Sequence, residues 1–484
     1  MKRVFCNMMA TFSALIIAGG CMKMGPDFST PDTGIHIPGV YHHAPAPVEG
    51  VTPQSEDRWW DVFANPELNK IVDEALRNNL DIKKAGAMIL EARARFVRTR
   101  ADRFPFLGFQ GQARRQRQTV EVSVPTFQGG SLKFESQQQR VTIDSHNLSL
   151  PASFELDLWG RLARAEEGAR ADLLMAEEGR RTVAQTVVAE TINLYLLVEA
   201  LERRIQITDE SIANFRRSLV LVEHRYERGL ISILDLRQAR RILARAEALL
   251  PSMRQELGIT QQKLAVLLGR YPKTRSARLH KEDYFKRLAP VPAGLPSELL
   301  MRRPDIRAAE AQLKALNAQV GVAMASRFPQ ITLTAGFGYS SDALSELFRP
   351  ESELWNLAMG IVQPLFDAGK LKAVQRAAEA RYKQGVAEYA KAVLSAFSEV
   401  ESALLTRKEQ LERRSRELNF LEEARATQEV AETRYERGLV DFLTVLDAQQ
   451  TRFQAEDNIV QVDFAILSNR VTLHRALGGG WGGY

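Results

Sequence analysis

The chain has 484 residues, 45% hydrophobic and 26% charged, with a formal net charge of +6. This is the composition of a folded protein too long for one core. Lys and Arg alternate with acids along the helices, as at Glu422, Glu423 and Arg425, which marks a solvated surface and excludes a nucleic-acid groove.

The N-terminus has the form of an export signal over residues 1–20. Lys2 and Arg3 are followed by an apolar run containing Leu15, Ile16, Ile17 and Ala18, and then by Gly19-Gly20-Cys21. The run is too short to span a bilayer, and no later stretch approaches ~20 uninterrupted apolar residues. A transmembrane helix is therefore not expected, whereas a membrane β-barrel remains open. Both cysteines, Cys6 and Cys21, lie in this region, so the rest of the chain holds neither a disulfide framework nor a thiolate metal site. The small residues before Cys21 resemble a bacterial lipobox, although Ala18 stands where Leu is usual. On that reading Cys21 becomes the first mature residue and carries diacylglycerol and an N-acyl chain; no other cofactor is expected. An ordinary cleaved signal ending near the same place fits the same residues. Residues 21–57 then form a lipid-anchored extended segment, since Pro26, Pro31, Pro38, Pro45, Pro47 and Pro53 block helix and sheet ladders.

Helical patterning starts at Asn65-Pro66-Glu67 and runs to Phe104-Pro105. Between Pro105 and Gly160 the period changes to two: Leu148, Leu150, Ala152, Phe154, Leu156 and Leu158 alternate with polar residues, which predicts a strand with one apolar face. Its partner starts at Phe106, and Pro125 to Gly130 read as a loop. From about 162 to 224 the chain carries a heptad-like pattern and no proline, and it reaches Arg-Tyr-Glu-Arg-Gly-Leu at 225–230. The same hexapeptide returns at 434–439. An offset of 209 maps Gly160 to Gly369, Leu234 to Leu443 and Gly269 to Gly478; upstream, an offset of 224 maps Asp81 to Asp305 and Phe104 to Phe328. The chain is thus a tandem duplication. Residues 58–270 form the first repeat, with a β-hairpin at about 106–158; 271–294 are a linker. Residues 295–478 form the second repeat, with a hairpin at about 330–366, and 479–484 are a flexible tail. Gly229 and Gly438 mark helix reversals at the tips of two helical hairpins. The fold class is α+β, with four strands and long coiled-coil helices per chain. Four strands cannot close a barrel, whereas three copies would supply twelve in a trimeric β-barrel continued by an α-helical barrel.

Motifs along the whole chain resemble the TolC-like outer-membrane factors, in particular the lipoprotein (NodT-type) branch of resistance-nodulation-division (RND) efflux systems. They are Cys21 with Met24-Gly25-Pro26-Asp27-Phe28, Trp59-Trp60 with Asn65-Pro66, Met301-Arg302-Arg303-Pro304-Asp305-Ile306, Pro364-Leu365-Phe366-Asp367 and the two glycine tips. The resemblance implies a homotrimer in outer-membrane lipid and a passive exit duct for drugs or other small toxic compounds. It also implies a periplasmic adaptor and an inner-membrane RND transporter that supplies the energy. The tip positions implied to receive the adaptor are Arg228, Gly229, Leu230 and Ser232, and Arg437, Gly438 and Leu439. Asp235, Tyr435 and Asp447 match a periplasmic gate, but Val440 replaces the family's latch arginine and Thr444 replaces a second acid. No HExxH, P-loop, GxSxG or GxGxxG in a strand–helix context is present, so an enzyme is not expected. The exit duct of a type I protein-secretion system shares the fold, and a pore-free coiled-coil envelope lipoprotein is an alternative of another class.

Overall fold

The computed structural model describes residues 23–44, 58–128, 131–272 and 302–479. The signal, Cys21, most of the linker and residues 480–484 lie outside the described residues. Asn65 opens the first helix: its side-chain oxygen accepts from the Glu67 and Leu68 amides, and Pro66 takes the first helical position. The expected continuous run to Phe104 is divided at Asn79, giving α1 (Pro66–Asn78) and α2 (Leu80–Ala101). The Asn79 side-chain oxygen caps α2 by accepting from the Asp81 and Ile82 amides at 2.8 and 3.1 Å. Its side-chain nitrogen donates to the Leu267 carbonyl at 2.9 Å.

The strands are β1 (Phe106–Leu107), β2 (Gln110–Gln128), β3 (Ser131–Leu156), β4 (Gln330–Ser341) and β5 (Glu353–Val362). They form one antiparallel sheet in which β1 and β2 both pair with β3, followed by β4 and β5. The two expected hairpins are therefore joined through β3 and β4. The first strand is split because Gly108 and Phe109 oppose Pro151 and Leu150: Pro151 has no N–H for the ladder, and only the Gly108 amide bonds across, to the Pro151 carbonyl at 2.8 Å. The loop expected at Pro125 to Gly130 is corrected. β2 runs through Pro125 to Gln128, and proline fits there because β2 is an edge strand with no ladder on its far side among the described residues.

The long helices are α3 (Arg161–Glu227) and α6 (Lys370–Glu436), each followed by a helix of 35 residues, α4 (Ile233–Leu267) and α7 (Phe442–Ala476). Adding 209 to both ends of α3 and α4 gives both ends of α6 and α7. Adding 224 to both ends of α2 gives α5 (Pro304–Ala325). The duplication therefore fixes element boundaries to the residue.

The chain divides into two units. The first comprises Met1–Thr30, Glu91–Leu173 and Gln312–Gly385, and includes the sheet. In it the segment after Lys23 is clasped by Arg164, which is 1% exposed. The Arg164 guanidinium donates to the Met24 and Gly25 carbonyls and to the Asp27 and Glu167 carboxylates, at 2.9–3.1 Å. Asn317 donates to the Pro26 carbonyl at 2.9 Å, and a Cβ on Gly25 would lie 2.7 Å from Gly321 Cα. The buried guanidinium thus has four acceptors, and removing them would leave an uncompensated charge.

The second unit comprises Pro31–Leu90, Leu174–Ala311 and Val386–Tyr484. Trp59, Trp60 and Phe63 pack with Leu68 and Val72, with Val188 and Ile192 of α3, and with Leu467 and Val471 of α7. The Trp-Trp motif is thus core. Arg303 is also structural: it binds Asp305, Glu399 and the Ala476 carbonyl. The Glu401 carboxylate accepts from the His42 and His43 amides and lies 2.9 Å from His43 Nδ1, tying down the proline-rich segment.

Candidate functional site

Both tips lie in the second unit and share one construction. At the end of α3 the Gly229 amide donates to the Tyr226 carbonyl and the Leu230 amide to the Arg225 carbonyl. At the end of α6 the Gly438 amide donates to Tyr435 and the Leu439 amide to Arg434. These are Schellman stops, which need a left-handed residue; Gly229 has φ 72° and Gly438 φ 73°. A Cβ at either glycine would meet nothing within 4 Å, so the requirement is conformational and not steric. Ser232 then caps α4 reciprocally with Asp235: the Asp235 carboxylate accepts from the Ser232 amide and hydroxyl at 3.0 and 2.8 Å. Asp441 caps α7, accepting from the Thr444 amide and hydroxyl at 2.9 and 2.6 Å. Those two bonds hold the Asp441 carboxyl below its ordinary range.

The tips expose apolar side chains. Leu230 and Leu439 are each 68% exposed, and Leu234 and Leu443 stand beside them. Arg228 and Arg437 are exposed on the same turns. Each tip thus presents exposed leucine flanked by arginine.

Behind the tips the two hairpins share one core, in which Ile212, Phe215 and Val222 of α3 and Leu236 and Ala239 of α4 meet Ala431 and Tyr435 of α6 and Phe442, Val445 and Leu446 of α7. Tyr435 is 5% exposed and packs on Phe442 at 5.3 Å between ring centres. The Arg225 guanidinium sits 4.3 Å from the centre of the Tyr435 ring, a cation–π contact between the two copies of the hexapeptide. The Tyr435 hydroxyl is buried with no hydrogen-bond partner among the described residues. Asp235 serves as a cap and makes no hydrogen bond to Tyr435. Asp447 is exposed on α7, between the buried Leu446 and Ala448 in the chain.

Sequence reasoning missed the polar layer above this core. Gln449, 5% exposed, bonds to Ser218 of α3 and to Glu432 of α6, and Glu432 also accepts from Gln428. The signal was available: Gln428 and Gln449 occupy heptad positions where apolar residues are expected. Arg225 of the first hexapeptide is used inside the protein, over the Tyr435 ring.

An antiparallel sheet with one apolar and one polar face, carried by a chain of duplicated long helical hairpins, is the architecture that the resemblance to outer-membrane factors implies. The chain belongs to the outer membrane efflux protein family, whose model matches residues 71–270 and 295–479. It is 31% identical over 477 residues to the cation efflux system protein CusC of Escherichia coli O6:H1, covering 98% of this chain and 99% of that protein. It is 35% identical over 431 residues to the pyoverdine export outer membrane protein OpmQ of Pseudomonas putida KT2440, covering 88% of each. The solved outer-membrane channel OprN superposes with a TM-score of 0.85 at 30% identity, over 95% of this chain and 99% of that one.

Proposed function

We propose that the chain is the outer-membrane channel subunit of a tripartite efflux system, a passive duct that makes no chemistry of its own. It acts as a homotrimer pooling twelve strands, anchored through acylated Cys21. Its tips, built by Arg228, Gly229, Leu230 and Ser232 and by Arg437, Gly438 and Leu439, receive a periplasmic adaptor linked to an RND transporter. The observation that carries this reading is the repeated Schellman-capped tip with its exposed leucine. A turn needs the glycine but not the leucine, which only a partner would cover. Relatives named for cations and for pyoverdine are consistent with a permissive duct whose cargo is chosen elsewhere.

Purified protein should run as a heat-resistant trimer from outer-membrane fractions and conduct ions in planar bilayers. Gly229→Pro and Gly438→Pro each remove a Schellman amide and forbid φ > 0. Both variants are expected to keep conductance while losing capture of the adaptor and drug export. Normal export by both would remove the tips from the docking role.

A further inference from the structure

The sheet register sets a height scale along the strands. Directly opposed residues share a face, so Leu156, Ile331 and Ile361 form one row of the apolar face. Leu148 and Tyr339 form the last such row, eight residues further along β3. That is ~27 Å along the strand and roughly 20 Å of height once tilted, close to the ~25 Å apolar band of an outer-membrane barrel. Phe337, Tyr339 and Phe348 form an aromatic chain at this end, with ring centres 5.9 and 5.6 Å apart. Such aromatics sit at the bilayer boundary.

β4 ends at Ser341, opposite His146, but β2 and β3 continue together to Gln128 and Ser131. On the face that carries Leu148, the rows beyond it are Ala113 with His146, Arg115 with Asp144, Arg117 with Thr142 and Thr119 with Arg140. All three arginines are exposed. Arg115 Nε lies 3.4 Å from Asp144, and Arg117 Nε donates to Thr142 Oγ1 at 3.4 Å. Arg114 points to the other face, and Glu121 follows one row beyond Arg140. The exposed Arg115–Asp144 pair is weakly held and leaves guanidinium capacity for a second anion.

We propose that Arg115, Arg117 and Arg140 form a docking surface for the phosphorylated headgroups of outer-leaflet glycolipid. The surface continues the lipid-facing apolar band upward by two to four rows, where arginine side chains meet the headgroup layer and can grip phosphate bidentately. The inference rests on the outer-membrane reading. It gives the longer first hairpin a use: the extra strand length presents cations above the apolar band, on the side where bound lipid offers anions.

The test uses full-length protein in phosphatidylcholine vesicles, either plain or doped with bisphosphorylated lipid A or with the same lipid dephosphorylated. Lipid retained per protein after detergent extraction is read by native mass spectrometry. Wild type should retain the phosphorylated form in preference. Together Arg115→Ala, Arg117→Ala and Arg140→Ala should lower that retention about a hundredfold, given the typical strength of arginine near an anionic surface. The corresponding triple Lys variant should keep most of it. Equal retention by the Ala variant, equal retention of dephosphorylated lipid, or full displacement by inorganic phosphate would each overturn the proposal. Conductance in plain phosphatidylcholine, measured for wild type and variants, reports folding and the channel reading separately. Should the triple variant not insert, Arg140→Glu alone must still lower retention.

Discussion

Tyr226 and Tyr435 hold the same place in the two hexapeptides, but Tyr226 is 39% exposed and Tyr435 is buried. The partner positions diverge in the same way: Ile233 is half exposed where Phe442 is buried. The second copy has turned a surface tyrosine into a core residue under the Arg225 guanidinium. Because the Tyr435 hydroxyl has no partner, Tyr435→Phe should leave stability unchanged to within about 0.5 kcal/mol, or raise it. Tyr435→Ala should cost about 3 kcal/mol or more and free the second tip, measured by chemical denaturation and by proteolysis at residues 434–442. Glu202 offers a pH test. Burial, followed by the charges of Glu199 and Glu67, pushes its carboxyl up to about 7 from an ordinary 4.5. The folded state therefore holds this proton more tightly than the unfolded chain. Stability from this group is full below about pH 4.5 and is lost as pH rises through about 7. Glu202→Gln should flatten that decline, raising the thermal midpoint in mild base while leaving it unchanged in acid; an identical pH profile would dismiss Glu202 as its source.

At the scale of elements, most of the design was legible in residues. The alternation Leu148 to Leu156 located β3, and the matched offsets located the long helices, because periodicity and duplication are properties of the chain itself. The division at Asn79 was not legible: Leu68, Val72, Ala75 and Ile82 keep a helical apolar spacing straight through it. Only the Leu267 carbonyl, brought close by folding, makes Asn79 a cap on one side and a donor on the other. Asn79→Ala should thus cost about 1–3 kcal/mol, since it removes a cap and orphans a carbonyl; hydrogen exchange of the Asp81 and Ile82 amides would report the loss directly. The Arg225–Tyr435 contact escaped for the same reason, joining residues that no local pattern relates. The tip glycines were read correctly because their requirement, a positive φ, is local.

At the scale of the whole molecule, the divergence of the two repeats places an exposed Asp447 in one copy only; the equivalent position in the first copy is Gln238. Should Asp447 line the axis of the proposed trimer, three such carboxylates would favour cations there. Asp447→Ala is expected to raise single-channel conductance and lower cation preference, and unchanged conductance would remove Asp447 from the gate. The clasp on the N-terminal segment bears on the order in which the molecule is made. Met24, Gly25 and Asp27 leave the ribosome early, yet Arg164 and Asn317, which hold this segment, follow about 140 and 290 residues later. The seat for the first segment does not exist until the second repeat has been translated and α5 has formed. The N-terminal segment from Met24 to Asp27 is therefore among the last parts of the chain to be secured.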